Sequence, residues 1–353
     1  MKSLISVCFM LSVLAVLGQT HLDADGPGET YELISNVLAP GHNPVEVPDC
    51  SHADFDRHID ELFDEELGSH VFRFFMHVSP DNDRCKNFDR QRNEIKTYDK
   101  SPDELLGVAG ETVLYQWKFK LDEDFQASPN FSHIHQLKSV GGSLESMPMY
   151  TLTARKGSPD QLELRYAETD KQITLLKTDL TPFKGAWVEV SETIAYGVSG
   201  SYEIEIRRIS DDQLLLNYSN GAIVNWRPEA EFVRPKWGLY RSLINAQDLR
   251  DEEVLFANFL IEELVTLSVF NSDADYKGVK IFPNPAAGVL QIKNVPDEAE
   301  ILKIFSMDGT MVLHRSIGFE NDLDLDVSSL SKGTYYVYIS GSNVNQAKLI
   351  FIL

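Results

Sequence analysis

From residue 71 to residue 264 the chain alternates apolar and polar residues with period two, and nothing else in it constrains the fold as strongly. The segments VFRFFMHV, TVLYQWKFKL, MYTLTARKG, QLELRYAE, WVEVSETIAY, SYEIEIRRI and VLFANFLIEEL carry the pattern. Successive side chains of a strand point to opposite faces, so this alternation marks strands with one buried face. Turn clusters (SPD, GSPD, SGS, SDD, NYSNG) separate them. Many short strands with little helix predict an all-β sandwich or jelly roll. Residues 54–67 (DFDRHIDELFDEEL) break the rule: their apolar positions fall at helical spacing before Gly68 and predict one short helix.

The flanks are organised differently. Residues 1–19 open MKSLISVCFMLSVLAVLG, one Lys and then an apolar run, and read as a secretory signal peptide. Residues 20–48 are acidic, bear Pro and Gly, and read as an extended leader. The jelly-roll domain is expected over 49–265 and a linker over 266–277. A smaller Ig-like sandwich follows over 278–353, with segments such as VLQIKNV, AEILKIFSM and GTYYVYIS. No other stretch is long and apolar enough to span a membrane.

The chain has 353 residues, 54 acidic against 32 basic, for a formal net charge of −22. A field of that sign disfavours nucleic acid and anionic lipid as partners, while a local basic cleft can still hold a polyanion. Three Cys occur. Cys8 falls in the signal, leaving Cys50 and Cys85 as an even pair in an oxidising compartment. A bridge between them would stabilise by roughly 3–4 kcal/mol in the chain-entropy view. No CxxC or HExxH occurs, and a zinc site has little support from the sequence. Asp81, Asp83 and the run Asp251, Glu252, Glu253 are acidic candidates for a structural Ca2+.

Three segments can carry chemistry. In FSHIHQLK, strict alternation puts His133 and His135 on one face with Leu137, and Gln136 and Lys138 on the other. In RPKWGLYRS, Arg234, Lys236, Gly238, Tyr240 and Ser242 share a face, and Trp237 and Leu239 face the core. Gly238 leaves a gap between a cation and a phenol, as where a ligand approaches closely. In RQRNEIK, Arg92, Glu94 and Lys96 share a face. Together they supply the parts of β-elimination from a uronic-acid polymer. A cation must neutralise the carboxylate beside C5, a base must take the C5 proton, and an acid must protonate the departing O4. Arg234 and Lys236 on the Tyr240 face would lower its pKa. No redox or nucleotide cofactor is required.

These segments resemble the jelly-roll polysaccharide lyases: the alginate, glucuronan and heparin-lyase-I-like groups. Arg92-Asn93-Glu94-Ile95-Lys96 is similar to RxE(L/V)R, His133-Ile134-His135 to QIH, and residues 234–242 to YxKxGxYxQ with KxGxY intact. The resemblance implies a concanavalin-like jelly roll and an anionic polysaccharide substrate, glucuronan-like favoured. It assigns His135 and Tyr240 as catalytic, and Arg92 and His133 as carboxylate neutralisers, with Arg234, Lys236, Glu94 and Lys96 beside them. A glycoside hydrolase on the same fold would need two carboxylates; the strand pattern ExDxxE is missing, and Glu203 and Glu205 share a strand face. A non-catalytic carbohydrate-binding protein is the remaining alternative.

The last domain resembles the C-terminal sorting domain of the type IX secretion system of Bacteroidetes bacteria. The residues that carry this are Val279-Lys280-Ile281-Phe282-Pro283-Asn284-Pro285, Asp308-Gly309, residues 330–336 (LSKGTYY) and the apolar terminal strand. That resemblance implies export across the outer membrane and the secretion machinery as a partner.

Overall fold

In the computed structural model the described residues are 13–267, 278–306, 310–318, 320–341 and 344–353. They divide into two compact units, Gly18–Glu263 and a second made of the described residues on either side of it. Most of the expected signal peptide, most of the linker and the Asp308-Gly309 turn lie outside the described residues.

The larger unit runs β1 (Val13–Leu22), α1 (Thr30–Leu38), β2 (Val45–Glu46), β3 (Ile59–Asp64), β4 (Ser69–Met76), β5 (Arg90–Lys96), β6 (Thr112–Leu121), β7 (Ser132–Val140) and β8 (Tyr150–Arg155). It continues β9 (Gln161–Tyr166), β10 (Ile173–Asp179), β11 (Trp187–Ala195), β12 (Gly200–Arg208), β13 (Gln213–Ile223), β14 (Phe232–Ser242) and β15 (Glu252–Leu267). Two antiparallel sheets result. One has the order β13-β12-β11-β6-β15-β4-β3, with β1 also pairing β15. The other has the order β10-β9-β8-β7-β14-β5-β2. The apolar half of each alternation fills one core between them. Trp117, Phe119, Trp237 and Phe256 are fully buried there, and fully burying a phenylalanine stabilises by roughly 1.5–3 kcal/mol over leaving it exposed. The all-β double-sheet expectation is met.

Two local expectations are corrected. Residues 54–67 form no helix; β3 pairs antiparallel with β4, Ile59 opposite Phe74 and Glu61 opposite Phe72. The edge of β4 offers backbone partners that outweigh the weak helical spacing, and Gly68, at φ +66°, turns the hairpin. Residues 20–48 are not an extended leader. They hold α1, whose Ile34 and Leu38 are buried in the main core, and β2, which joins the edge of the second sheet beside β5. Pro and Gly at both ends of that stretch masked an amphipathic TYELISNVL.

In the smaller unit, β16 (Lys280–Phe282), β17 (Val289–Lys293), β18 (Ala299–Ser306), β19 (Met311–Ser316), β20 (Asp322–Asp326), β21 (Gly333–Gly341) and β22 (Val344–Ile352) make sheets of three and four strands. Leu290, Ile292, Leu302, Ile304, Val337 and Ile350 are buried in their common core. No described helix is long and apolar enough to cross a membrane.

Candidate functional site

The outer face of the second sheet gathers most of the polar residues singled out from the sequence. Strands β5 and β14 pair without interruption, Lys236 opposite Lys96, Gly238 opposite Glu94 and Tyr240 opposite Arg92. The alternation therefore holds here: Trp237 and Leu239 are buried in the core, and Arg92, Glu94, Lys96, Lys236 and Tyr240 share the other face. Gly238 is needed for a different reason from the one expected. At φ +140° a Cβ would lie 2.1 Å from the Asn93 carbonyl oxygen, so the gap is filled by the β5 backbone and is not open to a ligand.

On β7 the strict alternation fails. Trp237 pairs with His135 and Tyr240 with His133, three residues of β14 against two of β7. The pairing of β7 with β8 slips at the same place. Across this bulge Ile134 and His135 both turn inward, and His133 turns outward. The two histidines expected on one face are thus on opposite faces. His135 is buried between the sheets, its ring tilted against Trp117 at 4.4 Å and 5.7 Å from Trp237. Its Nε2 lies 2.9 Å from Glu192 Oε2, and the Tyr202 hydroxyl donates to the same carboxylate at 2.6 Å. His135 does not reach the outer face. Gln136 and Lys138, expected to point away, face the site instead, opposite Lys236 and Arg234.

His133 and Tyr240 do come together, their rings 5.8 Å apart, with Phe131 stacked at 4.9 Å on His133. Two arginines hold the phenol. Arg90 Nη1 donates to the Tyr240 hydroxyl at 3.1 Å, and the Arg92 guanidinium lies 3.7 Å from the ring centroid. These are the cations beside Tyr240, rather than Arg234 and Lys236. Burial, with Arg92, Arg155 and Arg165 nearby, pulls His133 down to about 3, so the imidazole is neutral at ordinary pH. Its Nδ1 is buried without a hydrogen-bond partner.

Beside this pair lies a closed ion network. Lys236 Nζ donates to Glu46 at 2.5 Å and to Glu94 at 2.6 Å. Arg92 bonds Glu94 and, through Nε at 2.9 Å, Asp83. Lys96 and Arg84 both reach Glu46, and Gln136 donates to Glu94. Burial works against the charge on Glu46 and Glu94. Lys236 and Arg92 outweigh it at both, helped at Glu46 by Lys96 and Arg84, and both carboxyls sit well below the ordinary range. The charges that share this face of β5 thus belong to a buried, paired network. It uses Glu46 from the segment taken for a leader.

Two cations stay outside that network. Lys138 and Arg234 take part in no ion pair among the described residues, and Arg234 Nε is buried without a partner. Burial, then the charges of Lys236, Arg234 and Arg92, bring Lys138 down to about 8. Burial likewise lowers Arg234. Unsatisfied, partly desolvated cations on an open sheet face suit carboxylates of a polyanion.

The remaining candidates fall elsewhere. Cys50 and Cys85 form the disulfide, their Cα atoms 6.2 Å apart. The calcium candidates build no oxygen cage among the described residues. Asp81 faces imidazoles, Asp83 faces Arg92 and Arg84, and Asp251 and Glu252 accept from the backbone of Val78 and Gln126. Glu203 and Glu205 lie on β12 of the other sheet, with Arg207 on Glu205. A cavity of about 420 Å³ beside Glu32, Asn36 and His70 holds none of these groups. Arg90 and Glu46 were not singled out from the sequence, and Gln136 and Lys138 were placed on the face away from the site. The spacing Arg90-Gln91-Arg92 carried the signal for the first, and Leu137 beside His135 the signal for the last two.

Comparison with known proteins adds the following. Residues 280–352 match the secretion system C-terminal sorting domain family, and the chain is accordingly a secreted or cell-surface protein. Curated proteins give no match. Among solved structures, the chain is similar to an endo-β-1,4-glucuronan lyase from the fungus Trichoderma reesei, 16% identical, TM-score 0.42, covering 59% of this chain and 90% of that one. It is similar to a PL-14 alginate lyase from Aplysia kurodai, 12% identical, TM-score 0.45, covering 71% and 99%. A third is an alginate lyase from Pseudomonas aeruginosa, 14% identical, TM-score 0.41, covering 62% and 96%. At these values they assign neither a residue nor a substrate here.

Proposed function

We propose that this chain is an exported polysaccharide lyase that cleaves a uronic-acid polymer by β-elimination, glucuronan-like polymers being the favoured substrate. The observation that carries the reading is a tyrosine hydroxyl bonded by Arg90, beside a neutral histidine, on a face with two unpaired cations.

The chemistry follows from those parts. Arg234 and Lys138, about 17–20 Å along their strands from Tyr240 and His133, meet uronate carboxylates of neighbouring sugar units and hold the polymer on the face. His133, uncharged, with an unpartnered nitrogen and made more basic by the charge of the bound uronate, accepts the C5 proton. The C5–H electrons form the C4–C5 double bond as the C4–O4 bond breaks. The Tyr240 hydroxyl supplies a proton to O4, and Arg90 stabilises the phenolate left behind. His133 thus takes the part that the resemblance gave to His135. Arg92 orients Tyr240, because Asp83 and Glu94 already neutralise it.

A hydrolase on this face would need one carboxyl with a raised pKa. Glu46 and Glu94 are both held ionised by Lys236, which argues against that reaction.

The test is ultraviolet absorbance of a 4,5-unsaturated uronate during incubation with glucuronan, alginate, heparin, heparan sulfate and hyaluronan. A rise on one polymer, abolished by Tyr240→Phe and His133→Ala, is expected. New reducing ends without absorbance would replace the lyase reading with a hydrolase, and binding without either product would leave a carbohydrate-binding protein.

A further inference from the structure

Away from that face, four side chains from two loops point at one spot. His52 follows a short turn at Asp49–Ser51, His58 precedes β3, and His77 and Asp81 follow β4. One ligand atom from each lies within 4.8 Å of all the others. Asp81 Oδ1 is 3.0 Å from His52 Nδ1 and 3.2 Å from His58 Nε2, and its Oδ2 is 3.1 Å from His77 Nδ1. In a tetrahedral site with metal–ligand bonds of 2.0–2.1 Å, neighbouring ligand atoms stand about 3.3 Å apart.

The surroundings orient the ligands. His58 Nδ1 lies 2.7 Å from Asp49 Oδ1, and Asp49 also accepts from the Tyr31 hydroxyl at 3.0 Å. With Nδ1–H donated to Asp49, His58 Nε2 presents a lone pair to a carboxylate oxygen 3.2 Å away. Two acceptors at that range need a proton or a metal ion between them. A carboxylate behind the imidazole is also the usual second partner of a metal-bound histidine. Phe55 packs on the rings of His52, His58 and His77 at 5.1, 4.8 and 4.4 Å. His58 and Asp81 are fully buried, and His52 and His77 keep about a fifth of their side chains open on one side.

We propose that His52, His58, His77 and Asp81 bind one zinc-class divalent transition-metal ion in a closed, structural site. Three imidazoles and one carboxylate suit Zn2+; Ca2+ wants six to eight oxygens and is poorly served. Four protein ligands complete the tetrahedron and leave no position for substrate. The ion braces the back of β5. Gln91, pointing inward, donates to the Asp81 carbonyl at 3.0 Å, and Asn93 to the carbonyls of His58 and Phe75 at 2.7 and 2.8 Å. On the other side of the same strand Arg92 bonds Asp83, two residues beyond the Asp81 ligand. The disulfide Cys50–Cys85 ties the two loops together. The sequence hid this centre, because its ligands lie 6, 19 and 4 residues apart in no recognised spacing.

The experiment strips the full mature chain with a strong chelator, restores it with Zn2+ or Co2+, and measures metal content by mass spectrometry. The expected content is about one ion per chain, with visible Co2+ bands of tetrahedral intensity and a thermal midpoint that falls on stripping. His77→Ala and Asp81→Asn should hold less than about a tenth of an ion per chain, and His70→Ala, outside the cluster, should hold the full amount. If those variants do not fold, the Co2+ spectrum and chelator competition of the unaltered chain decide. Less than stoichiometric Zn2+, no tetrahedral Co2+ bands and an unchanged midpoint would overturn the proposal and leave a hydrogen-bonded ion-pair cluster. Binding of Ca2+ alone would overturn it too. None of these readouts uses turnover, so the proposal stands or falls apart from the lyase reading.

Discussion

Two histidine–tyrosine pairs lie back to back across the second sheet, and they differ in what their polar atoms lack. In the interior, His135 and Tyr202 both bond Glu192, with all three buried between the sheets. On the outer face, His133 stands beside Tyr240 with a nitrogen unsatisfied, and Tyr240 is bonded only from its own side by Arg90. The inner set fixes how two sheets meet and has nothing left to give a ligand. The outer set keeps hydrogen-bonding capacity in reserve. Residue type alone does not separate a structural His–Tyr pair from a reactive one; partner count does.

The comparison breaks or holds most sharply at the two tyrosines. Tyr240→Phe should lower kcat by about 10²–10⁴-fold while leaving the thermal midpoint close to that of the unaltered chain, since only one exposed-side hydrogen bond goes. Tyr202→Phe should do the reverse: kcat nearly unchanged, and stability lower by about 1–3 kcal/mol because the buried Glu192 loses a donor. Denaturation and turnover measured on both variants check the pair. Equal effects on turnover would mean the inner set is not merely structural.

The histidines give the next contrast. His135→Ala leaves Glu192 buried with one partner fewer and opens a space against Trp117, for a loss of about 3–5 kcal/mol in chemical denaturation. His133→Ala should cost far less stability, because its imidazole is buried without a bond from Nδ1. Between them sits the bulge that separates the faces. Gly238→Ala should lower stability by about 2 kcal/mol or more, since the new methyl meets the Asn93 carbonyl and the φ is unfavourable for alanine. A Gly238→Ala chain as stable as the original would mean that β14 and β5 are held less closely than this.

How much of this was legible in the sequence divides along the same line. Wherever alternation ran unbroken, as in β5 and β14, faces could be assigned residue by residue, and Arg92, Glu94, Lys236 and Tyr240 were brought together as expected. The bulge at Ile134 was not visible, because one extra residue changes every face assignment beyond it and leaves no mark in composition. Leu137 was the available clue: an apolar residue sharing the His135 side put that side in the core. Glu46 was missed for another reason. It lies on a two-residue strand, too short for any periodicity, and only pairing with β5 makes it part of the sheet. The cluster of His52, His58, His77 and Asp81 is built by loop closure over a disulfide, which local pattern does not encode.

The smallest expected effect tests whether the outer face uses its spare charge. Lys138, at about 8 against an ordinary value near 10.5, is cationic at pH 7 and neutral by pH 9. If it meets a uronate carboxylate, KM should rise by a few-fold between pH 7 and 9 with kcat changing less, since a binding charge is lost. His133, neutral throughout that range, cannot produce such a limb. Lys138→Arg should keep the charge and move the rise to higher pH; Lys138→Met should show the raised KM already at pH 7. The folding linkage has its own sign. A lysine whose pKa is depressed in the folded state binds fewer protons there than in the unfolded chain, so its contribution raises stability as pH climbs from about 8 towards 10. A KM that worsens while the fold becomes more stable would separate loss of contact from loss of structure. Identical KM profiles for the unaltered chain and Lys138→Arg would remove Lys138 from the binding face and leave Arg234 to hold the polymer alone.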